Sequence, residues 1–295
     1  MTERDELADR FEEQRGQLQS LAYRMLGSLA EAEDAVQEAW LRLERADVSD
    51  VANLAGWLRT VVSRVCLDML RSRAARREEL AGQQVSDQSP DPGLGGDPEQ
   101  EAILADSVGR ALLVVLDRLG PAERIAFVLH DILAVPFDEI APIVDRSPVT
   151  TKKLASRARH RVQGVPAADG AVLARHRQVV EAFLAASRAG DVNAVLAVLA
   201  PDVVRRADAA ALPAGRPLEV RGARAVAGEI AAFGRNARFA DVALVDGSVG
   251  IVVAPRGQLL LVLAVTVAGD GRIAGYELIA DPARLRQLTL AVLPG

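Results

Sequence analysis

The chain has 295 residues, of which 50% are hydrophobic and 25% are charged, and its formal net charge at pH 7 is −5. This length predicts two or three domains, and the apolar content excludes a disordered chain. The longest apolar stretch, 258–267, is too short to cross a bilayer, and the charged N-terminus has no signal-peptide core. We therefore expect a soluble, cytoplasmic protein with no membrane partner.

The N-terminal part of the chain, residues 1–79, is predicted to be helical. Its first amphipathic stretch is AEDAVQEAWLRL, where the apolar residues at i, i+3, i+4 and i+7 are Val36, Ala39, Trp40 and Leu43. A second stretch, NLAGWLRTVVSRVCLDML, repeats this spacing and ends in RSRAARR, which has four Arg in seven residues. Both patterns are typical of helices that bury one face.

A flexible linker is predicted next, over residues 80–100. It is rich in Gly, Pro, Ser, Asp and Gln and has no apolar periodicity, so it cannot bury enough surface to fold alone. The stretch 78–106 holds eight carboxylates and no Lys or Arg, whereas the most basic stretches lie on either side of it. A second helical segment, residues 101–164, follows.

The end of this second segment predicts a helix-turn-helix. VPFDEIAPIV has the spacing of a short amphipathic helix, and DRS then supplies a tight turn. Ser147 is placed as the N-cap and Pro148 as the first residue of the next helix. The buried side of that helix is predicted to consist of Thr151, Leu154 or Ala155, Ala158 and Val162. Two helices, a tight turn and a basic outer face match the motif that enters the major groove of DNA.

The basic outer face of this helix supplies the candidate DNA contacts. Residues 145–162 carry six Lys or Arg against one carboxylate. Phosphates require cations for neutralisation, and the first residues of such a helix reach base edges. The candidates are Ser147, Thr150, Lys152, Lys153, Arg157 and Arg161. The alternative interpretation is a solvated basic helix on the surface of a bundle.

Two further stripes lie on the N-terminal helices. One stripe, predicted to be exposed, is formed by Thr60, Ser63, Arg64, Leu67 and Arg71. Its mixture of polar, cationic and apolar side chains suits a single nucleic-acid strand. Taken alone, this pattern is more often a solvated helix end. An acidic and apolar stripe, opposite the buried face of its helix, consists of Asp34, Gln37, Glu38 and Leu41. An exposed leucine among carboxylates suggests a protein partner.

Three stretches in this order resemble bacterial RNA polymerase sigma factors of the extracytoplasmic-function group. They are YRMLGSLAEAEDAVQEAWLRL, WLRTVVSRVCLDMLRSR and LDRLGPAERIAFVLHDILAVPFDEIAPIVDRSPVTTKKLASRARHRV. The resemblance covers residues 7–163 and implies two all-α domains, sigma region 2 over 1–79 and sigma region 4 over 101–164. It also implies two partners, core RNA polymerase and promoter DNA.

The same resemblance implies roles for the candidate residues. The acidic stripe would bind core polymerase through Asp34, Gln37, Glu38 and Leu41. The helix that begins near Trp57, with the loop 47–53, would melt the −10 promoter element through Trp57, Thr60, Ser63, Arg64 and Arg71. The helix-turn-helix would read the −35 element.

The C-terminal part, residues 170–295, predicts an α+β domain. Two helices come first, followed by five short β-like runs separated by Gly, Asn or Pro, which favours one curved antiparallel sheet. VDGS predicts a hairpin turn, and Asp281-Pro282 predicts the start of a last helix.

This part resembles the NTF2-like or SnoaL-like cone fold, which some sigma factors of the group carry as a built-in regulator. The resemblance implies that Asp208, Asp281 and Pro282 act in contacts between domains. Two departures from the subgroup are visible. The glycines of its Gly-rich loop are alanines in ADAAALPAGRPLEVRG, and its Asn-Pro motif is Asp281-Pro282.

We expect no catalytic residue, metal or cofactor. The single cysteine, Cys66, excludes a disulfide and a cysteine-based metal site, and its apolar neighbours predict a buried thiol without a redox role. His130, His160 and His176 lie outside the predicted strands of the cone, and the carboxylates there have no paired spacing for acid–base catalysis. Whether the C-terminal domain binds a small-molecule ligand stays an open question.

Two other functions are weighed against that of a sigma factor. The first is a ligand-responsive helix-turn-helix regulator that works without core polymerase, which would leave the acidic stripe and the second basic helix unexplained. The second is an enzyme whose cone domain acts on a small hydrophobic metabolite, which requires a convergent acid–base pair. Binding to core polymerase separates the sigma factor from both.

Overall fold

A computed structural model describes residues 3–46, 51, 53–82, 104–105 and 108–294 of the chain. Most of the predicted linker and most of the loop 47–53 lie outside these described residues. The chain forms two compact units. The first comprises Met1–Val108 and Leu116–Arg159, and the second comprises Gly109–Val115 and His160–Gly295.

The first unit is built from helices, and two of the helices given below, α4 and α7, are shared with the second unit. The helices are α1 (Glu3–Leu26), α2 (Leu29–Arg45), α3 (Leu54–Gly82), α4 (Arg110–Asp117), α5 (Pro121–Phe127), α6 (Phe137–Val144) and α7 (Pro148–Gln163). A short π-helix, Val128–Ile132, follows α5 directly. The helical prediction for both segments of the first unit is confirmed.

The first three helices form a bundle with the predicted buried faces. In α2 the buried residues include Val36, Ala39 and Leu43, while Trp40 is half-buried and its ring lies 5.0 Å from the ring of Phe11. In α3, Cys66 is fully buried, and this burial raises the pKa of its thiol to about 12. The thiol is therefore protonated at neutral pH, as expected of a structural cysteine.

Helices α6 and α7 form the predicted helix-turn-helix. Helix α6 ends at Asp145, which adopts the left-handed conformation with φ of 56°. Helix α7 begins at Pro148, directly after Ser147. The buried side of α7 is as predicted, with Thr151, Ala155, Ala158 and Val162 buried and Leu154 half-buried.

Among its described residues, the second unit contains four further α-helices, three short 3-10 helices and one mixed sheet. The α-helices are α8 (Gly170–Ala189), α9 (Val192–Val198), α10 (Ala223–Phe233) and α11 (Pro282–Gln287). The strands are β1 (Leu199–Ala207), β2 (Glu219–Arg221), β3 (Ala240–Val245), β4 (Ser248–Val253), β5 (Leu261–Val267), β6 (Ile273–Ile279) and β7 (Leu290–Ala291). Their order in the sheet is β2-β1-β6-β5-β4-β3-β7. The predicted class, α+β, is confirmed.

The prediction of a purely antiparallel sheet is wrong at one position. Strands β1 and β6 pair in parallel, with Arg205 opposite Tyr276, whereas the other pairs are antiparallel. Hairpins enforce antiparallel pairing between strands that follow one another, but α10 and four strands of the same sheet, β2 to β5, separate β1 from β6. Helix α10 and strands β2 and β7 are also additions to the predicted elements. Pro201 lies inside β1, where the register with β6 shifts.

The hairpin turn predicted at VDGS is confirmed between β3 and β4. Val245 pairs with Ser248, and the two central residues, Asp246 and Gly247, have φ of 48° and 81°. Positive φ at both positions is the type I′ geometry that fits the twist of a hairpin. A Cβ atom at Gly247 would lie 2.9 Å from the carbonyl oxygen of Val165, so only glycine fits there.

One face of the sheet carries the core of the second unit. Its inward-facing strand residues pack on α8, α9 and α10, and the core includes Phe183, Val203, Ile251, Val265 and Tyr276. The rings of Phe183 and Tyr276 lie 5.7 Å apart. This side of the cone is therefore filled by the protein's own side chains.

Candidate nucleic-acid interface

The N-terminus of α7 is held by a hydrogen-bonded turn. The Ser147 hydroxyl accepts the backbone N–H of Thr150 at 3.2 Å and lies 2.9 Å from the Thr150 hydroxyl. The buried Thr151 donates its hydroxyl hydrogen to the carbonyl oxygen of Ser147 at 3.0 Å. These bonds satisfy the first turn of the helix and fix the direction in which its exposed side chains leave the backbone.

The exposed face of α7 presents three cations, Lys152, Lys153 and Arg157, that have no partner among the described residues. Lys152, Lys153, Arg157 and Arg161 are exposed. Within the described ranges, the first three form no hydrogen bond or ion pair. By contrast, Arg159 is paired with Asp131 at 2.5 Å. Lys152 and Lys153 are also the only lysines of the sequence, whose other cations are all arginines.

Helix α3 has a second packing face, on which the predicted exposed stripe is partly buried. Ser63 and Leu67 are 0% and 1% exposed, so the prediction of an exposed stripe is wrong for these two residues. The reason is that α3 packs against α1 and α2 on one side and against α5 and α6 on another. Of the other predicted −10 residues, Trp57 and Thr60 are half-buried, whereas Arg64 and Arg71 are exposed.

Polar contacts join α3 to α6 along this second face. Arg59 pairs with Glu139 at 3.4 Å, and Arg64 donates to the carbonyl oxygen of Pro142 at 3.3 Å. Ser63 follows Arg59 by four residues, so it lies on the same side of the helix. In this structure two arginines of the predicted −10 helix are therefore engaged by the first helix of the helix-turn-helix.

A buried arginine joins the same two groups of helices. Arg124 on α5 is 3% exposed and donates to the carbonyl oxygen of Met25 on α1 at 2.9 Å. It also pairs with Asp117 at 2.9 Å. Nothing in the sequence pattern around Arg124 predicts this contact, because the acceptor on α1 is a backbone carbonyl far away in the chain.

The acidic stripe on α2 is accessible. Asp34 and Gln37 are exposed, and Glu38 and Leu41 are half-buried. Glu38 pairs with Arg42 one turn later at 2.8 Å, but both side chains are over 40% exposed. Such surface pairs contribute little and break readily, so the carboxylates are available to a partner.

Comparisons with known proteins agree with this arrangement. The family model for sigma-70 region 2 matches residues 11–76, and the model for sigma-70 region 4 matches residues 109–162. An ECF RNA polymerase sigma factor of Mycobacterium tuberculosis, SigJ, is 39% identical over 289 residues, which are 92% of this chain and 91% of the relative. The chain belongs to the extracytoplasmic-function sigma factors.

Further relatives of this sigma factor are of the same kind. M. tuberculosis SigI is 40% identical over 212 residues, covering 71% of this chain and 72% of the relative. The crystal structure of M. tuberculosis SigJ aligns with 95% of this chain and 98% of its own at 34% identity, with a TM-score of 0.45. Because the chain belongs to this family, it directs core RNA polymerase to promoters, and its partners are core polymerase and promoter DNA.

This membership favours a transcription initiation factor over the two alternative functions. Among the described residues, no group of three or more His, Cys, Asp or Glu side chains could hold a metal ion. In the same part of the chain, no helix is both long enough and apolar enough to span a membrane.

In the C-terminal unit of the sigma factor, Asp208 and Asp281 lie together. The Asp208 carboxylate accepts the backbone N–H groups of Ala280 and Asp281 at 3.0 and 2.9 Å, and that of Ala211 at 3.0 Å. Asp281 in turn caps α11 by accepting the N–H of Arg284 at 2.9 Å, with Pro282 as the first helical residue. Asp208 therefore fastens the loop after β1 to the turn that starts α11.

Replacing Asp208 with alanine is expected to loosen both segments that it joins. Three N–H groups would lose their acceptor, at a cost of about 1–3 kcal/mol for each group that stays buried. Hydrogen–deuterium exchange should become faster in peptides covering 208–218 and 279–288. Asp202→Ala, which removes an exposed carboxylate from the preceding strand, β1, is the control. Unchanged exchange in both peptides would contradict this role for Asp208.

A buried ion pair lies elsewhere in the same unit. Arg205 is 1% exposed and pairs with Glu229 of α10 at 2.6 Å. It also donates to the carbonyl oxygen of Pro217 at 2.9 Å. Burial raises the pKa of Tyr276, which opposes Arg205 in the sheet. The alternation in VVRRA could have indicated that one of the two arginines points inward, but its partner lies on a helix that the sequence pattern did not reveal.

Proposed function

We propose that α7 reads the −35 promoter element and that α3 contacts the −10 element. In α7 the contacts are assigned to Ser147, Thr150, Lys152, Lys153, Arg157 and Arg161. In α3 they are assigned to Trp57, Thr60, Ser63, Arg64 and Arg71. Core polymerase is assigned to the acidic stripe of α2, namely Asp34, Gln37, Glu38 and Leu41. The protein supplies binding energy and strand opening and performs no covalent chemistry itself.

The observation that carries the −35 assignment is the set of unneutralised cations on α7. Lys152, Lys153 and Arg157 are exposed and have no anionic partner among the described residues. Within the described residues, these cations therefore gain no stability from an ion pair. DNA phosphates are the partner that such an arrangement fits.

We further propose that the packed first unit is the form that precedes polymerase binding. The −10 and −35 elements are about 25 base pairs apart, or roughly 85 Å at 3.4 Å per pair. A compact unit of about 150 residues has a radius of gyration of only about 15 Å. With α3 packed on α6, the unit cannot touch both elements at once, so these helices must separate on the promoter.

We also propose that the C-terminal domain regulates initiation in cis. The support is the way in which the end of α7 is anchored within the second unit. The backbone N–H of Val292 donates to the carbonyl oxygen of Val162 at 2.7 Å, and Gly164 lies against Ala291. At the start of α4, Ala111 donates its backbone N–H to Asp241 at 3.1 Å. Both ends of the α4–α7 segment are thus bonded to the β3–β7 side of the sheet. Asp208, Asp281 and Pro282, which follow β1 and β6, are assigned to the same regulation.

Run-off transcription with purified core polymerase tests these assignments. The template is the chain's own upstream region, and the full chain is compared with a variant in which Asp34 and Glu38 become Asn and Gln. We expect specific transcripts from the full chain and at least a tenfold loss in the variant. Asp208→Ala in the full chain should change transcript yield, because it perturbs the C-terminal domain. It leaves in place the residues that bond α4 and α7 to the sheet.

The outcomes separate the parts of the proposal. No transcripts and no co-elution with core polymerase would reject the assignment of the acidic stripe together with the initiation role of this chain. Equal yields from the full chain and from Asp208→Ala would reject regulation through Asp208. A glutamate-to-glutamine exchange at the exposed Glu33, on the same helix, is the matched control.

A further inference from the structure

The start of α7 displays an apolar side chain that the rest of the described chain leaves exposed. Val149 is the second residue of the helix and is 67% exposed. It lies on the side of α7 opposite Thr151 and Ala158, both of which are fully buried. The helix cannot rotate to bury it, because the Ser147 bonds to Thr150 and Thr151 fix the first turn.

The surroundings of Val149 are cationic. Lys152 and Lys153 follow it at i+3 and i+4, so their side chains flank it on the same face. An isolated exposed valine is ordinary, but this one lies in the centre of the face that carries the unneutralised cations. The face therefore has charges suited to phosphates around a single apolar contact point.

We propose that Val149 packs against the C5 methyl group of a thymine in the −35 element. This inference rests on the proposed function of α7. Thymine is the only base that presents an apolar group in the major groove, and the first residues of a recognition helix are those that reach base edges. Valine is stiff at its one side-chain torsion, so it loses little freedom in such a contact. Lys152 and Lys153 supply affinity from the flanking phosphates, and Val149 supplies a preference for one base.

The experiment uses holoenzyme assembled from the full chain and core polymerase. Binding sites are first selected from a duplex library with a randomised −35 region, with wild-type protein and with Val149→Ala. Each thymine of the selected site is then replaced by uracil, which removes only the methyl group. We expect one uracil position to weaken binding of the wild type by about three- to fivefold, the value of one methyl-sized contact. Val149→Ala should bind thymine and uracil duplexes equally and should lose the preference for thymine at that position.

Two results would overturn the inference: wild-type binding that ignores uracil at every −35 position, or unchanged discrimination in Val149→Ala. Val165→Ala is the matched control, since Val165 is 84% exposed and lies beyond α7. Lys152→Ala/Lys153→Ala separates this inference from the function it rests on. If the lysine variant binds as tightly as the wild type, α7 does not read the promoter. If it binds more weakly while uracil has no effect, only the thymine contact is rejected.

Discussion

Replacing Lys152 and Lys153 together with alanine is expected to raise the Kd of the holoenzyme for promoter DNA by about 60-fold at 0.1 M salt. Each phosphate contact that is lost removes about 0.9 from the slope of log K against log salt, so one contact is worth roughly eightfold at this concentration. The slope should fall by about 1.8, and specific and non-specific duplexes should lose affinity alike.

Matched variants make this result specific to the position of the charges. Lys152→Arg/Lys153→Arg keeps both charges and should retain the salt slope. Arg175→Ala removes one exposed charge from α8 and should leave the slope unchanged. A lysine variant with an unaltered slope would show that these side chains do not meet phosphates.

A chemical measurement checks the same contact without mutation. Because these two are the only lysines of the sequence, an amine-specific acetylating reagent can modify only them and the N-terminal amine. Promoter DNA should slow acetylation of both lysines and leave the N-terminal amine unaffected. Equal rates with and without DNA would contradict the assignment.

Replacing Arg205 with alanine is expected to destabilise the C-terminal unit by about 3–5 kcal/mol, the usual effect of removing one partner of a buried ion pair. The carboxylate of Glu229 would remain largely buried, with Arg216 at 3.3 Å as its other cation. The carbonyl oxygen of Pro217 would lose its donor as well. Arg206→Ala is the control on the adjacent residue, because its pair with Glu219 is exposed and should contribute under about 1 kcal/mol.

Calorimetry and hydrogen exchange are the appropriate measurements for this variant. Both tryptophans, Trp40 and Trp57, lie outside the C-terminal unit, so tryptophan fluorescence would miss its unfolding. We expect the thermal transition of this unit to shift downward and exchange in β1 and β6 to become faster, while peptides from α1 to α3 are unaffected. A shift no larger than that of Arg206→Ala would show that the buried pair is not important for stability.

Local patterns in the sequence were sufficient to predict the helix-turn-helix. The capping hydroxyl of Ser147, the proline that follows it and the spacing of Thr151, Ala155, Ala158 and Val162 all act within a few residues. The hairpin at Asp246-Gly247 and the start of α11 at Asp281-Pro282 are predictable for the same reason. Each depends on backbone angles and hydrogen bonds that neighbours in the chain determine.

Contacts between distant segments were not predictable. Ser63 and Leu67 repeat with helical spacing, but only the packing of α6 on α3 decides that this face is buried. The parallel pairing of β1 with β6 depends on which strands become neighbours in space. Arg205 required a partner on α10, which the sequence pattern did not reveal. In each case the sequence does not tell which distant segment packs against the residue.

The buried contact of Arg124 has a consequence for how tightly the sigma factor binds polymerase. When α5 moves away from α1, the guanidinium group gains water in place of the carbonyl oxygen of Met25, so hydration offsets much of the energy of the broken bond. If the packed first unit opens as proposed, this hydration lowers the free-energy cost of separating the two groups of helices. Polymerase would select the separated fraction, and the apparent Kd would equal the intrinsic Kd divided by that fraction. A substitution at Arg124 would thus alter the affinity for polymerase although this effect needs no contact between Arg124 and polymerase.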